Sequence, residues 1–265
     1  MRFKDTATSR DTIQSVERSF RILEIIGDDE NIGVTDIASK LDVPKSTAHH
    51  YLRTLESLGY IDNDDGTYSL GIGLLNLGGA ARSNQQLYHL AKNDVDELAA
   101  QTGEQARLIG EHRGYEITLY QSTGENLTEP YDPLGTIKQL HCTAAGKAFL
   151  AELSKPELDR IIEGIEFVEH TENTVTDPDE LRSELRSVHD QGVAYDDEER
   201  YEGIRCVAAS VGSKDIGPYG AISVSAPVER MDNERFRGAI PDLIQNYAGV
   251  VGVTTNYYWA EDSFE

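Results

Sequence analysis

Val34-Thr35-Asp36-Ile37-Ala38-Ser39-Lys40-Leu41-Asp42-Val43-Pro44-Lys45-Ser46-Thr47-Ala48-His49-His50-Tyr51-Leu52-Arg53-Thr54-Leu55-Glu56-Ser57-Leu58-Gly59-Tyr60 decides the fold of the first part of the chain. Thr35 is placed to cap a short helix over 36–41, with Ile37, Ala38 and Leu41 turned inward. Pro44 suits the first position of a second helix, where its missing N–H does no harm, and Gly59 ends that helix. Ala48, Tyr51, Leu52, Leu55 and Leu58 repeat at helical spacing and form the inward stripe. Lys45, Ser46, Thr47, His49, His50 and Arg53 therefore face away. Downstream, Asp65-Gly66 between Tyr60-Ile61 and Thr67-Tyr68-Ser69-Leu70 predicts a tight hairpin. Helix, turn, helix and hairpin in this order make a winged helix.

The outward residues of the second helix are of the kind that suits a DNA major groove. Ser46 and Thr47, at the helix start, can bond phosphate together with the N-terminal N–H groups. Lys45, His49, His50 and Arg53 can reach base edges or phosphates. The competing reading is a small-molecule sensor that uses its winged helix for protein partners. Residues 11–27 predict a preceding helix with Ile13, Val16, Phe20, Leu23 and Ile26 on one face, followed by the polar turn Asp28-Asp29-Glu30-Asn31. Ahead of it, the segment carrying Arg2, Lys4 and Arg10 reads as a disordered tail, with contact to the DNA backbone as the second reading.

The composition points elsewhere. The 265 residues carry 24 basic and 47 acidic side chains, a formal net charge of -23, and such a field ordinarily repels nucleic acid. The surplus is uneven: residues 1–90 hold 9 basic and 13 acidic groups, whereas residues 91–265 hold 15 and 34. Lysine is scarce, 8 against 16 arginines. Carboxylates keep a surface hydrated where salt screens their repulsion, so the balance reads as adaptation to a halophilic cytosol. No stretch approaches the roughly eighteen apolar residues of a membrane span. The N-terminus lacks an apolar leader core. Two cysteines, Cys142 and Cys206, suit a reducing compartment, and a cytoplasmic location is expected.

Beyond the hairpin, Gly71–Gly79 is glycine-rich but apolar and reads as a packed connector. Helical spacing returns over 80–101 as a linker helix, with Leu87, Leu90, Val95 and Leu98 inward. Strands are then expected at 106–111, 117–121, 204–211 and 219–226. Helices are expected at 145–153, 156–162, 179–190 (capped by Thr176 with Asp179) and 233–249, the last carrying a disruptive Pro241. Strands with helices segregated between them indicate an α+β domain. The expected division is 1–78 winged helix, 79–101 linker helix and 102–265 effector domain.

The winged helix with its Pro44-Lys45-Ser46-Thr47 opening resembles that of the IclR family of transcriptional regulators. The resemblance extends over about 11–255 and is carried further by Leu140–Ala151, Gly192–Ala209 and Ala221–Pro227. It implies a GAF-like sensor domain whose pocket includes Ala144, Ala145, Asp196, Cys206, Ser223 and Ser225. The residues agree in part. Ser223 and Ser225 alternate with Ile222, Val224 and Ala226, so both hydroxyls share one face of a strand. Ala144-Ala145-Gly146 opens a helix with small residues, whose N–H groups suit an anion. A small carboxylate is the expected effector.

Rival chemistries are weaker. A P-loop reading of Gly146-Lys147 fails because His141 and Ala148 stand where glycine and Ser/Thr belong. His141, Cys142 and Cys206 do not have zinc spacing, and no metal or cofactor is expected, although clustering of these three after folding is left open. Asp196-Asp197-Glu198-Glu199 reads as a solvated acidic loop. No G-x-S-x-G elbow supports a hydrolase. The resulting expectation is a non-enzymatic regulator that binds a palindromic double-stranded operator as a homodimer or homotetramer, paired through the first helix and the linker helix.

Overall fold

The computed structural model describes residues 12–29, 31–127, 131–213 and 217–262, with the side chains of 213 and 259–262 left aside. Two compact units divide between Asn84 and Gln85. The tail bearing Arg2, Lys4 and Arg10 lies outside the described residues.

In the first unit, helix α1 (Gln14–Asp28) packs Ile22, Ile25 and Ile26 into a small core with Ile37, Leu52, Leu55, Ile61 and Tyr68. Only part of the face the spacing suggests turns inward: Ile26 is buried and Leu23 packs against the core, whereas Ile13, Val16 and Phe20 are 68%, 50% and 63% exposed. α1 carries two apolar faces, and only one is needed to close this core. Helix α2 (Val34–Lys40) starts two residues earlier than expected, behind Gly33, so Thr35 lies in its first turn and does not cap it. Helix α3 (Lys45–Ser57) follows, and Pro44 is its N-cap residue, the carbonyl accepting from Thr47 N and Ala48 N at 2.9 and 3.1 Å. Gly59, at φ 75°, closes the helix while Tyr60 N reaches back to Leu55 O. Leu58 lies beyond the stripe and is exposed.

The hairpin pairs β2 (Ile61–Asp64) with β3 (Thr67–Leu70), and a two-residue edge strand β1 (Ile32–Gly33) lies on the other side of β3. Asp65 and Gly66 both take positive φ, 48° and 87°, the geometry of a two-residue hairpin turn. The glycine-rich stretch is helical. Helix α4 (Gly73–Ser83) buries none of its residues, and Asn84-Gln85 separates it from α5 (Gln86–Thr102), where one continuous linker helix was expected.

The second unit is an antiparallel six-stranded sheet with helices on both faces. Its strands are β4 (Gln105–His112), β5 (Tyr115–Thr123), β6 (Ile137–Gln139), β7 (Ala194–Asp197), β8 (Ile204–Ser213) and β9 (Gly217–Pro227), in the order β6-β5-β4-β9-β8-β7. The short outer strands β6 and β7 were absent from the sequence reading. On one face, α5 and α9 (Ile240–Asp262) cover Ala106, Leu108, Val207, Ala209, Ile222, Val224 and Ala226. Pro241 does not break the last helix. The five residues ahead of α9, Arg235–Ala239, adopt the wider π turn, which makes room for a ring without an N–H.

On the other face lie α6 (Ala144–Ala151), α7 (Lys155–Gly164) and α8 (Pro178–Gln191). The cap of α8 is Asp177, which accepts from Asp179 N and Glu180 N, and not Thr176. The layout is α+β and GAF-like.

Candidate functional site

Two surfaces carry chemistry, one in each unit. On α3 the core takes Ala48, Leu52 and Leu55, all 5% exposed or less. The helical period then presents Lys45, Ser46, His49, His50 and Arg53 to solvent, with Thr47 half-buried beside them. All six expected residues thus share one outward surface that starts at a helix N-terminus, where unpaired N–H groups add to the hydroxyls. The adjoining hairpin is acidic, with Asp62, Asp64 and Asp65 exposed.

In the second unit, sheet register gathers the remaining candidates. Asp196 on β7 pairs with Cys206 on β8, which pairs with Ser225 on β9, which pairs with Gln105 on β4. One step along, Ala194, Ala208, Ser223 and Arg107 form the parallel row. Directly paired residues share a face. Ala144 and Ala145 of α6 pack over it, in one apolar cluster with Cys206, Ala194 and Ala208. The structure therefore brings Ala144, Ala145, Asp196, Cys206, Ser223 and Ser225 onto a single buried face.

Local chemistry explains how α6 is held there. Thr143 caps it, accepting from Gly146 N at 3.0 Å while its hydroxyl donates to Glu116 Oε2. Gly146 admits no side chain, because a Cβ would lie 2.3 Å from Leu140 O. The first-turn N–H groups of Ala144 and Ala145 are beyond the reach of intrahelical bonding. Lys147 is fully buried and pairs with Glu184 at 2.7 Å and Glu199 at 2.5 Å. Its role is structural, consistent with the failed phosphate-loop reading.

The acidic run is not simply solvated. Asp196 is 5% exposed and Glu199 7%, and Asp196 Oδ1 accepts from Glu199 N at 2.8 Å and Arg200 N at 3.3 Å. Burial pushes the Asp196 carboxyl up to about 6, against the opposing pull of Lys147 and those two N–H groups.

Sequence reasoning missed the charged half of this face. Arg107 Nη2 donates to Ser225 Oγ at 3.1 Å, and Ser225 Oγ in turn lies 3.1 Å from Cys206 Sγ. Arg107 Nη1 lies 3.5 Å from Asp132 Oδ2, which also receives Lys138 Nζ at 2.5 Å; Tyr201 donates to Asp132 Oδ1 at 2.8 Å. Burial raises the Asp132 pKa, but Lys138, Tyr201 and Arg107 outweigh it and hold the carboxyl below its usual range. Burial and the bond donated to Asp132 push the Tyr201 phenol up to about 12. Ser223 Oγ, Thr118 Oγ1 and Glu116 Oε1 are buried and have no hydrogen-bond partner among the described residues. Orphaned polar atoms on one face mark a place where a polar ligand would be favoured.

His141, Cys142 and Cys206 do not assemble a metal site: no group of three His, Cys, Asp or Glu residues stands at metal-holding geometry among the described residues. His141 Nε2 meets Val168 O at 3.3 Å, which requires the neutral ring to carry its proton there, and burial lowers its pKa to about 4. Burial pushes the Cys142 thiol up to about 12. An open cavity of about 470 Å³ between α7 and α8, lined by Leu153, Leu158, Arg182, Arg186 and His189, is apart from this face and holds none of the orphaned atoms. The buried face is the better candidate.

The chain matches the family model described as the bacterial transcriptional regulator IclR C-terminal domain over residues 79–251, and the IclR helix-turn-helix domain over 15–65. It is 36% identical to the probable HTH-type transcriptional regulator ArcR of Halobacterium salinarum, over 91% of this chain and 93% of that one. Among solved structures, the Thermotoga maritima IclR superposes with a TM-score of 0.74 at 25% identity, over 92% of this chain and 99% of that one. An IclR homologue from Microbacterium hydrocarbonoxydans, solved in complex with 4-hydroxybenzoate, shares the fold with a TM-score of 0.74 at 18% identity, over 91% and 98%.

Proposed function

Since the chain belongs to the IclR family of transcriptional regulators, we propose that α3 reads operator DNA through Lys45, Ser46, Thr47, His49, His50 and Arg53, under control of a small carboxylate bound among Ala144, Ala145, Asp196, Cys206, Ser223 and Ser225. The observation that supports this reading is the division of one thirteen-residue helix, α3, into a core face of Ala48, Leu52 and Leu55 and an outward face bearing every candidate contact. Hydroxyls and a cation at the helix N-terminus, with imidazoles and a second cation along the same outward side, are the donors that phosphates and base edges call for.

Two copies pairing about a two-fold axis would set two such helices on a palindrome roughly 34–36 Å, or a multiple, apart. The exposed Val16 and Phe20 of α1, with Ile13 at its N-cap, supply an apolar seam for that pairing, in a dimer or a tetramer. Control then consists of the effector binding one arrangement of the pair better than the other. None of the described helices is long and apolar enough to cross a membrane, and the proposed site of action is the cytoplasm.

A gel-shift with the DNA upstream of the chain's own gene, in molar KCl, tests the first half. Lys45→Ala and Arg53→Ala should each weaken the specific band, and together abolish it, while circular dichroism stays unchanged. Absent or sequence-independent binding by the wild type would transfer the winged helix to protein partners. For the second half, a thermal-shift screen of small organic and sugar acids should find compounds that stabilise the wild type and not a Ser223→Ala/Ser225→Ala variant.

A further inference from the structure

Asp132 reaches the buried face from the segment between β5 and β6, and three side-chain donors converge on its two oxygens. Lys138 and Arg107 serve Oδ2 and Tyr201 serves Oδ1. Arg107, Lys138 and Asp132 are only 5%, 1% and 8% exposed. An arginine, a lysine and a phenol around one carboxylate make a complete recognition set for a small acid.

That set adjoins the effector face directly. The same guanidinium that faces Asp132 through Nη1 holds Ser225 Oγ through Nη2. Arg107 also stands opposite Ser223 in the β4–β9 register, and Ser223 Oγ is buried without a hydrogen-bond partner among the described residues. Charge sets a further condition. Arg107 and Lys138 are matched by Asp132 and by Glu116, which sits within their electrostatic reach. A third carboxylate added to the same buried corner would face two cations already matched, at a steep desolvation cost. An incoming acid and Asp132 therefore exclude one another.

We propose that Arg107, Lys138 and Tyr201 form the carboxylate subsite of the effector pocket, and that Asp132 fills it as an internal substitute until the effector's own carboxylate takes its place. The inference rests on the effector reading above and narrows it. The ligand class is a small monocarboxylic acid bearing a hydroxyl or oxo group. Its carboxylate goes to Arg107 and Lys138, and its second polar group goes to the free Ser223 hydroxyl and to Ser225. Expulsion of Asp132 breaks its bonds to Lys138 on β6 and to Tyr201 in the β7–β8 turn, so binding is read out at both edges of the sheet.

Acetate, the carboxylate alone, is the probe. Full-length wild type and Asp132→Ala are melted in potassium acetate and in potassium chloride at equal ionic strength. In chloride, Asp132→Ala should melt below wild type, because Arg107 and Lys138 lose their counter-ion. In acetate it should recover, binding acetate at least about tenfold more tightly than wild type, as expected when an occupant that holds the site most of the time is removed. Adding Lys138→Gln should abolish the recovery. Asp132→Asn keeps an acceptor for Tyr201 but loses the charge, and should show the same acetate preference if the alanine variant folds poorly. The proposal is overturned if neither variant gains acetate affinity, or if the gain survives Lys138→Gln. Failure here is separable from failure of the effector pocket itself: an organic acid that stabilises wild type through Ser223 and Ser225, with no effect of Asp132, would leave that pocket standing and remove this subsite.

Discussion

At the residue scale, the second unit holds charge where a core is usually apolar. Lys147 is fully enclosed on α6 and pairs with Glu184 and Glu199. Removing one partner of a buried pair is far costlier than replacing the whole, so Lys147→Met should lose about 3–5 kcal/mol in urea unfolding. Lys147→Met/Glu199→Gln should recover part of that loss, and a double variant as unstable as the sum of its singles would refute a coupled pair. Asp196 gives a pH signature. Its pKa is about 6 in the folded chain against 3.8 unfolded, so the native state holds the proton more tightly. Its contribution is full below about pH 4 and lost as pH rises toward 6, to a maximum of about 3 kcal/mol. Wild type should therefore lose stability relative to Asp196→Asn between pH 4 and pH 7. A difference that does not change with pH would show that Asp196 ionises freely.

Turns and short segments govern the element scale. Gly146 lets the first turn of α6 rest on Leu140, and Gly146→Ala would force a Cβ to 2.3 Å from that carbonyl. The cost should reach about 1–3 kcal/mol, and effector binding should fall with it because Ala144 and Ala145 ride on the same turn. What was legible in the sequence follows from range. The Asp65-Gly66 hairpin could be read because its positive φ angles are a local demand of the chain. The outward set on α3 could be read because a helical period needs only neighbours three and four apart. Arg107 could not be read, since its partners Asp132, Cys206 and Ser225 are 25, 99 and 118 positions away. Glu199 reads as solvated for the same reason: a carboxylate run does not reveal that a buried lysine waits 52 residues earlier. The periodicity of α1 misled because two apolar faces overlap on one helix. The outer face predicts assembly: Val16→Lys/Phe20→Lys should shift the mass measured by light scattering to a smaller species while the melting temperature of the first unit changes little.

For the whole molecule, the decisive quantity is the distribution of charge. The formal net charge is -23, and most of the surplus lies beyond residue 90. The lysine-poor acidic composition is of the halophilic kind, in keeping with the Halobacterium relative. Self-repulsion of this size should make folding depend on salt, with the melting temperature rising steeply as KCl goes from dilute to molar. DNA binding by counterion release runs the other way, weakening as salt rises. The two demands are compatible only if few phosphates are neutralised. Each α3 offers two permanent cations on its outward face, Lys45 and Arg53, while the neighbouring hairpin presents Asp62, Asp64 and Asp65. Two reading heads would then release about four counterions, giving log K against log [KCl] a slope near -4. Base and shape contacts from His49, His50, Ser46 and Thr47 would carry the rest of the affinity. Fluorescence anisotropy across a KCl series measures that slope, and Lys45→Ala should make it shallower by about one unit per copy. A slope near -8, or one unmoved by Lys45→Ala, would mean that cations outside α3 hold the operator.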